Sequence, residues 1–215
     1  MAVGATADAL MRVKQVHGRE VRVLKAGTVS PDAAAARPEA DALVSDAPGL
    51  VLVVQVADCV PVLMADAGRG AAGAAHAGWR GTAARVAVAT VETMTRELGT
   101  DPADLVVAIG PSIGACCYTV GDELIDAFRS GGATDEQLAR WFSRNAGGDL
   151  RLDLWAANRD QLLAAGVQAD RMFTAGLCTQ THADVFDSFR AAGAGAGRMA
   201  ALIAVPRGPS AARHL

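Results

Sequence analysis

Gly49-Leu-Val-Leu-Val-Val-Gln-Val-Ala-Asp-Cys-Val-Pro-Val-Leu-Met-Ala65 is the stretch from which the fold is read. Leu50 to Val56 is a continuous apolar, mostly β-branched run, the pattern of a strand buried on both faces. Val60 to Ala65 predicts a second strand, and Pro61 at the junction argues against a regular central one, because proline cannot donate to the ladder. Working outward, Ala71 to His76 and Val21 to Lys25 predict strands on either side. The Pro- and Ala-rich segment Ser30 to Glu39 between them is a loop. Thr82 is placed to cap a helix with the stripe Ala84, Val88, Val91, Thr95 and Leu98, stopped at Gly99. Leu105 to Ile109 predicts another buried strand, ending in the turn Gly110-Pro-Ser-Ile-Gly114. Thr119 with Asp122 has capping-box spacing before a helix that stops at Gly131, and Thr134 with Gln137 repeats the device before Leu138, Trp141 and Phe142. Asp153 caps a helix from Leu154 to Ala165, closed by Gly166. Met172 to Ala175 and Met199 to Val205 are late strands, and Pro206 to Leu215 is expected to fray. Strands and helices mix without strict βαβ alternation and without an internal repeat, so the expectation is α+β rather than a doubly wound sheet.

The chain has 215 residues, of which 51% are apolar and 20% are charged. That balance excludes a disordered chain, and the length suits a single domain over 1–215. The formal charge of −3, from 20 basic and 23 acidic residues, supplies no basic excess for a nucleic-acid backbone. Three Trp, one Tyr and five Phe leave little for base stacking. The longest apolar stretch, Gly49 to Ala57, is interrupted by Gln55 and is too short to span a bilayer. Met1 to Leu10 lacks a basic region followed by an apolar core, so it does not read as a signal peptide. The expectation is a soluble cytoplasmic protein with no nucleic-acid or membrane partner. In that setting Cys59, Cys116, Cys117 and Cys178 are thiols, ligands or nucleophiles rather than a disulfide framework.

His17, His76, His182 and His214 are the four histidines. His17 lies in Gln15-Val-His-Gly18 before a strand, and His76 opens His76-Ala-Gly-Trp-Arg-Gly-Thr82 after one. Cys59 sits beside Asp58 at a strand break. Two imidazoles and a thiolate suit Zn²⁺, and three protein ligands with an open fourth position form the catalytic rather than the structural arrangement. Such an ion lowers the pKa of bound water toward neutrality. Spacing alone leaves open a hydrogen-bonded structural histidine or a packed cysteine at each position. Arg80 stands at a helix start that favours anions, phosphate included, and equally reads as a surface residue. A thiol of Cys116-Cys117 near a helix start is a candidate for a lowered pKa, although adjacent side chains diverge and burial is the alternative. Cys178 and His182 are close enough to form a nucleophile–base pair, against the alternative of an ordinary polar turn. His214 reads as tail.

Taken in order, Gln15-Val-His-Gly18, Ala57-Asp-Cys59 with Pro61, His76-Ala-Gly-Trp-Arg-Gly81 and Ile109-Gly-Pro-Ser-Ile-Gly-Ala-Cys-Cys-Tyr118 form a set. It continues through Ala157-Asn-Arg159 with Gln161-Leu162, Cys178-Thr179, Ser188-Phe-Arg190 and Gly197-Arg-Met199. From Val13 to Val205 the chain resembles the YfiH family, also called the laccase-domain or polyphenol oxidase family. The resemblance implies a layered α/β/β/α sandwich with mixed sheets. It implies that His17, Cys59 and His76 hold zinc, and that the substrates are a purine nucleoside and inorganic phosphate. The implied activity is phosphorolysis of adenosine, inosine, guanosine or methylthioadenosine to free base and ribose 1-phosphate, with adenosine deamination beside it. Asp58 is a candidate carboxylate beside the metal that supports its ligands or handles a proton, against the alternative of capping a turn, and Arg80 is a candidate phosphate ligand. Family members carry several tens of residues, including an Arg-Gly-Gly stretch, before the Gln-Val-His-Gly motif, whereas His17 comes almost at once here. Arg190-Ala191 stands where many relatives have paired arginines. The alternatives are a polyphenol oxidase, a Cys–His hydrolase using Cys59 and His76, and a nucleoside-binding protein with an impaired site. Four histidines without a His-x-His pair count against the first.

Overall fold

The computed structural model describes residues 6–30 and 32–205. The expected frayed tail from Pro206, with His214, lies outside the described residues. The strands are β1 (Leu10–Met11), β2 (Val21–Leu24), β3 (Ala42–Ser45), β4 (Val51–Val56), β5 (Val60–Asp66), β6 (Ala71–Ala77), β7 (Val106–Ile109), β8 (Phe142–Arg144), β9 (Leu150–Leu152), β10 (Met172–Thr174) and β11 (Met199–Ala204). The helices are α1 (Trp79–Ala83), α2 (Val86–Leu98), α3 (Glu123–Ser130), α4 (Asp135–Trp141), α5 (Leu154–Ala164) and α6 (Phe189–Ala192). Six strands form one sheet in the order β10-β7-β5-β6-β3-β2, and β1-β4-β11 form a second. Both are mixed: β10 with β7, β2 with β3 and β1 with β4 are parallel, and the other pairs within these two sheets are antiparallel. The fold is α+β with mixed sheets, as the irregular order of elements predicts.

Side-chain alternation along the large sheet assigns its two faces. Ala42 and Val44 of β3, Val60, Val62 and Met64 of β5, and Ala71, Ala75 and Ala77 of β6 pack against the helices. Leu43, Leu63, Ala72 and Ala74 point the other way and meet Leu52 and Val54 of β4. His76 follows the Ala72–Ala74 parity, so its imidazole is delivered to the face shared with the small sheet. Close approach of α2 depends on Gly73: a Cβ there would lie 2.9 Å from Met94 Sδ and 3.1 Å from Thr90 Cγ2.

Several local expectations are corrected. Pro61 does not break β5, which runs regularly between β6 and β7. Its carbonyl accepts from Gly110 N at 2.9 Å. On an antiparallel strand N–H and C=O of one residue point to the same side. The missing N–H therefore faces Gly110, just past the end of β7, where the ladder stops anyway. Thr82 does not cap a long helix: it lies within α1, and α2 begins after Arg85, whose φ is +63°. That break resets the helical phase, so the buried face runs through Val86, Ala87, Thr90, Val91 and Met94, and Thr95 is exposed. Asp122 precedes α3 without a side-chain cap, its carboxylate taken by Arg144 at 2.6 Å. Leu105 to Ile109 is buried on one side only, with Val106 and Ala108 exposed. Phe142 leaves α4 for β8 and packs edge-on against Phe128. The capping box at Thr134 and the Asp153 cap form as expected.

Candidate metal centre

Two loops and the end of β6 meet where the two sheets face each other. Gln15 fastens the first to β4 as a strand residue would: its Nε2 donates to Gln55 O at 2.7 Å and its Oε1 accepts from Gln55 N at 2.8 Å. That pairing keeps Gln55 exposed within a strand otherwise buried. The next three N–H groups turn onto one carboxylate, Asp41: His17 N reaches Oδ1 at 2.9 Å, and Val16 N and Gly18 N reach Oδ2 at 3.2 and 2.6 Å. His17 is held in this turn at φ +62°, a conformation that costs about 1–2 kcal/mol outside glycine. Asp41 also accepts from His76 Nδ1 at 2.8 Å. Because a carboxylate only accepts, Nδ1 carries a proton, so Nε2 is the nitrogen that presents a lone pair to a metal once the proton it holds in the metal-free cluster is displaced.

Cys59 completes the group. Its Sγ lies 4.0 Å from His17 Nε2, and the His17 and His76 rings meet edge-on at 4.8 Å. One ligand atom from each of His17, Cys59 and His76 lies within 4.8 Å of the others. Donors around a tetrahedral zinc sit about 3.3–3.8 Å apart, from bond lengths of about 2.0–2.3 Å, so the trio fits such an ion with small side-chain adjustments. Gly78 keeps the space open, since a Cβ there would stand 2.7 Å from Cys59 Sγ. Burial opposes ionisation of the Cys59 thiol, but hydrogen bonds from His17 and His76 outweigh it and bring it down to about 7. Burial likewise opposes charge on His76, while Asp41 and Cys59 raise it to about 9. Both shifts describe a cluster in which the sulfur is ready to be a thiolate.

The trio opens into a cavity of about 780 Å³, within the range of small-molecule sites. Arg37, Arg80, Arg190 and Arg198 line it, with Asp58 as the carboxylate among the lining residues. Arg80 stacks on Trp79 at 4.3 Å, and Arg190 lies over Tyr118 at 5.0 Å. Burial pushes the Tyr118 hydroxyl to about 12, so it stays protonated. Asp58, at φ +82°, accepts from Thr179 Oγ1 and from Arg190 N, both at 2.6 Å, and its carbonyl accepts from Ile113 N at 2.9 Å. Its carboxylate therefore ties the Cys178 and Arg190 segments to the Cys59 loop.

The structure thus brings His17, Cys59, His76, Asp58 and Arg80 around one cavity. It leaves Cys178 and His182 unpaired with each other: His182 Nδ1 lies 2.9 Å from the Cys178 carbonyl oxygen, in a polar turn. Cys116 and Cys117 depart from expectation in two ways. Burial and neighbouring thiols raise both, Cys117 to about 12, and their sulfurs converge on Cys178 instead of diverging. Asp41 lies in none of the motifs, and only the spatial arrangement identifies it; Gln15 and Tyr118 lie in motifs, but their roles at the site show only in the folded chain. Arg37 and Arg198 reach the cavity from segments distant in sequence.

The family model described as "Multi-copper polyphenol oxidoreductase laccase" matches residues 1–206. A "Purine nucleoside phosphorylase" of Bacteroides thetaiotaomicron is 42% identical over 159 residues, which make up 74% of this chain and 58% of that protein, so the match spans well under two thirds of its length. An "Adenosine deaminase RL5" from an unknown prokaryotic organism is 37% identical over 202 residues, 92% of this chain and 76% of that one. The crystal structure of Bacillus licheniformis hypothetical protein YfiH superposes with a TM-score of 0.85 at 33% identity, covering 95% of this chain and 77% of the other.

Proposed function

The chain belongs to the laccase-domain family, and from that premise we propose that it is a zinc-dependent purine nucleoside phosphorylase with adenosine deaminase activity beside it. The observation that carries the reading is the convergence of His17, Cys59 and His76 at an arginine-lined cavity. Adenosine, inosine, guanosine and methylthioadenosine are the proposed nucleosides, and inorganic phosphate the co-substrate. The reading takes residues 1–215 as one such domain.

In phosphorolysis a phosphate oxygen forms a bond to the anomeric carbon of the ribose as the bond to the purine nitrogen breaks. The departing base must take up a proton. Arg80 is proposed to bind the phosphate dianion, with Arg37, Arg190 and Arg198 raising the local positive potential. Trp79, Tyr118 and Phe189 offer aromatic surface for the purine, and the protonated Tyr118 hydroxyl is a donor for a ring nitrogen. Asp58, engaged by Thr179 and Arg190, acts as a positioning residue for the Cys59 loop. Asp41 orients both histidines. When bound by His17, Cys59 and His76, zinc supplies a Lewis acid that stabilises developing negative charge in the cavity.

Two other readings have an observation in their favour. Two histidines and a cysteine are also the donor set of blue-copper centres, which add an axial methionine. No methionine lines this cavity among the described residues. A thiol brought down to about 7 beside His17 suits a Cys–His hydrolase. Chelation separates the two chemistries: a thiol hydrolase survives metal removal, and the zinc enzyme loses activity. The direct test is to incubate zinc-loaded protein with adenosine, with and without phosphate. Adenine and ribose 1-phosphate formed only with phosphate, and inosine formed without it, are expected. Tight nucleoside binding with no turnover would overturn the reading in favour of an impaired binding protein.

A further inference from the structure

A second group of soft ligands lies outside the trio and outside the proposed reaction. The turn after β7 carries Cys116 and Cys117, and an isolated parallel bridge, Ser112 with Cys178, brings the third thiol beside them. Ser112 N donates to Leu177 O at 3.2 Å, and Ser112 O accepts from Thr179 N at 3.1 Å. The three sulfurs lie within 4.8 Å of one another. We propose that Cys116, Cys117 and Cys178 form a second metal site, a three-thiolate centre for one thiophilic d¹⁰ cation of the Zn²⁺ or Cu⁺ kind.

Geometry supports the assignment first. Metal–sulfur bonds of about 2.3 Å set thiolates about 4.0 Å apart in a trigonal site and about 3.8 Å apart in a tetrahedral one. Three sulfurs mutually within 4.8 Å need little movement to reach either arrangement. The polypeptide also eases ionisation of one sulfur. Gly114 N–H donates to Cys178 Sγ at 3.3 Å, and backbone N–H groups of Gln180 and Thr181 add to it. Burial opposes ionisation of Cys178, yet these donors bring it down to about 7. Burial raises Cys116 and Cys117, and the neighbouring Cys178 thiol adds to it: three adjacent thiols resist becoming anions together without a cation between them. A bound cation removes that obstacle, and binding releases the remaining thiol protons to solvent. Cys116 is exposed and Cys178 buried, so the centre is reached from the surface and rooted in the core. Hard cations such as Mg²⁺ and Ca²⁺ prefer oxygen and are excluded by an all-sulfur set.

The two centres share a wall. Ile113 N and Thr179 Oγ1, which flank the thiols, both donate to Asp58 beside Cys59. Occupancy of the thiolate centre therefore staples the turn and the Cys178 segment that hold Asp58 in place.

The test uses reduced, metal-stripped protein titrated with Cd²⁺ under anaerobic conditions. Thiolate-to-cadmium absorption and native mass spectrometry report ligands and stoichiometry. The intact protein is expected to bind two Cd²⁺ per chain. His76→Ala is expected to retain one, with absorption of three-thiolate intensity. The double variant Cys116→Ser/Cys117→Ser is expected to retain one, with single-thiolate intensity. A parallel titration with Cu⁺ against a chelator of known affinity determines which d¹⁰ ion binds more tightly. One Cd²⁺ per intact chain with single-thiolate intensity, or two in the double variant, overturns the proposal; one with three-thiolate intensity counts against the histidine-containing trio instead. Cys116→Ser alone changes an exposed side chain, and its near-ultraviolet circular dichroism reports an intact fold; thiolate absorption undiminished from that of the intact protein in this variant also overturns it. None of these readouts depends on nucleoside turnover.

Discussion

Asp41→Asn is the most incisive change in this site because it alters almost no volume, and only the charge and the direction of hydrogen bonds. Asp41 Oδ1 accepts from His17 N and His76 Nδ1, and Oδ2 accepts from Val16 N and Gly18 N. An asparagine has one accepting and one donating end. With its oxygen toward His76, its NH₂ confronts the N–H groups of Val16 and Gly18, and the His17 turn is pushed away. With the amide reversed, NH₂ faces His76, whose Nδ1 must then accept. The proton moves to Nε2, and the lone pair aimed at the metal is lost. Either way one histidine ligand is compromised. Changes of this kind cost about 10- to 100-fold in metal affinity, or about 1.4–2.8 kcal/mol. Asp41 is fully buried, and hydrogen bonds to a buried charge contribute about 1.5–3 kcal/mol each. With half of them lost, the metal-free protein should lose roughly 3–6 kcal/mol of stability. In a domain of this size that lowers Tm by about 6–24 °C. Zinc competition with a chromogenic chelator and thermal unfolding in excess chelator measure the two effects separately. Zinc affinity within twofold of the parent protein would refute the orientation argument, and a stability loss alone would reduce Asp41 to a loop clamp.

Three further outcomes are expected. Gly78→Ala places a methyl 2.7 Å from Cys59 Sγ; overpacking costs about 1–3 kcal/mol, and zinc affinity measured by chelator competition should fall with it. Gly73→Ala meets Met94 Sδ at 2.9 Å and Thr90. It should destabilise by a similar amount in chemical denaturation while zinc affinity stays unchanged, since α2 and not the site is displaced. Asp153→Ala removes the acceptor for Ala156 N at 2.9 Å and should cost about 1 kcal/mol of stability, read as a shift in denaturation midpoint with unchanged slope.

Much of the architecture was legible in single residues and short patterns. Leu50–Val56, Val60–Ala65 and Ala71–His76 announced strands by β-branching and small apolar runs. Thr134 with Gln137 and Asp153 announced helix starts, because a cap is a contact between neighbours in the chain. That His17, Cys59 and His76 stand together was suggested by their motifs at strand ends and by the family resemblance, while spacing alone left structural roles open at each. Where local reading failed, the deciding contact was distant. Pro61 is tolerated because β7 ends opposite it, a fact of sheet order. Thr82 lost its capping role because the chain turns at Arg85 and starts a new helical phase.

Residue types and their order determined the class of fold, the chemistry on offer and the family it resembles. The tertiary structure alone decided how those groups are aimed. It placed Asp41 under two histidines, one from a loop and one from β6, gathered four arginines around one opening, and turned Cys116 and Cys117 toward Cys178 across more than sixty residues. The physical reason is that hydrogen-bond direction and ligand distance are set by the packing of sheets and loops far apart in the chain. A carboxylate such as Asp41 shows nothing of this in sequence, because its partners are neighbours only after folding.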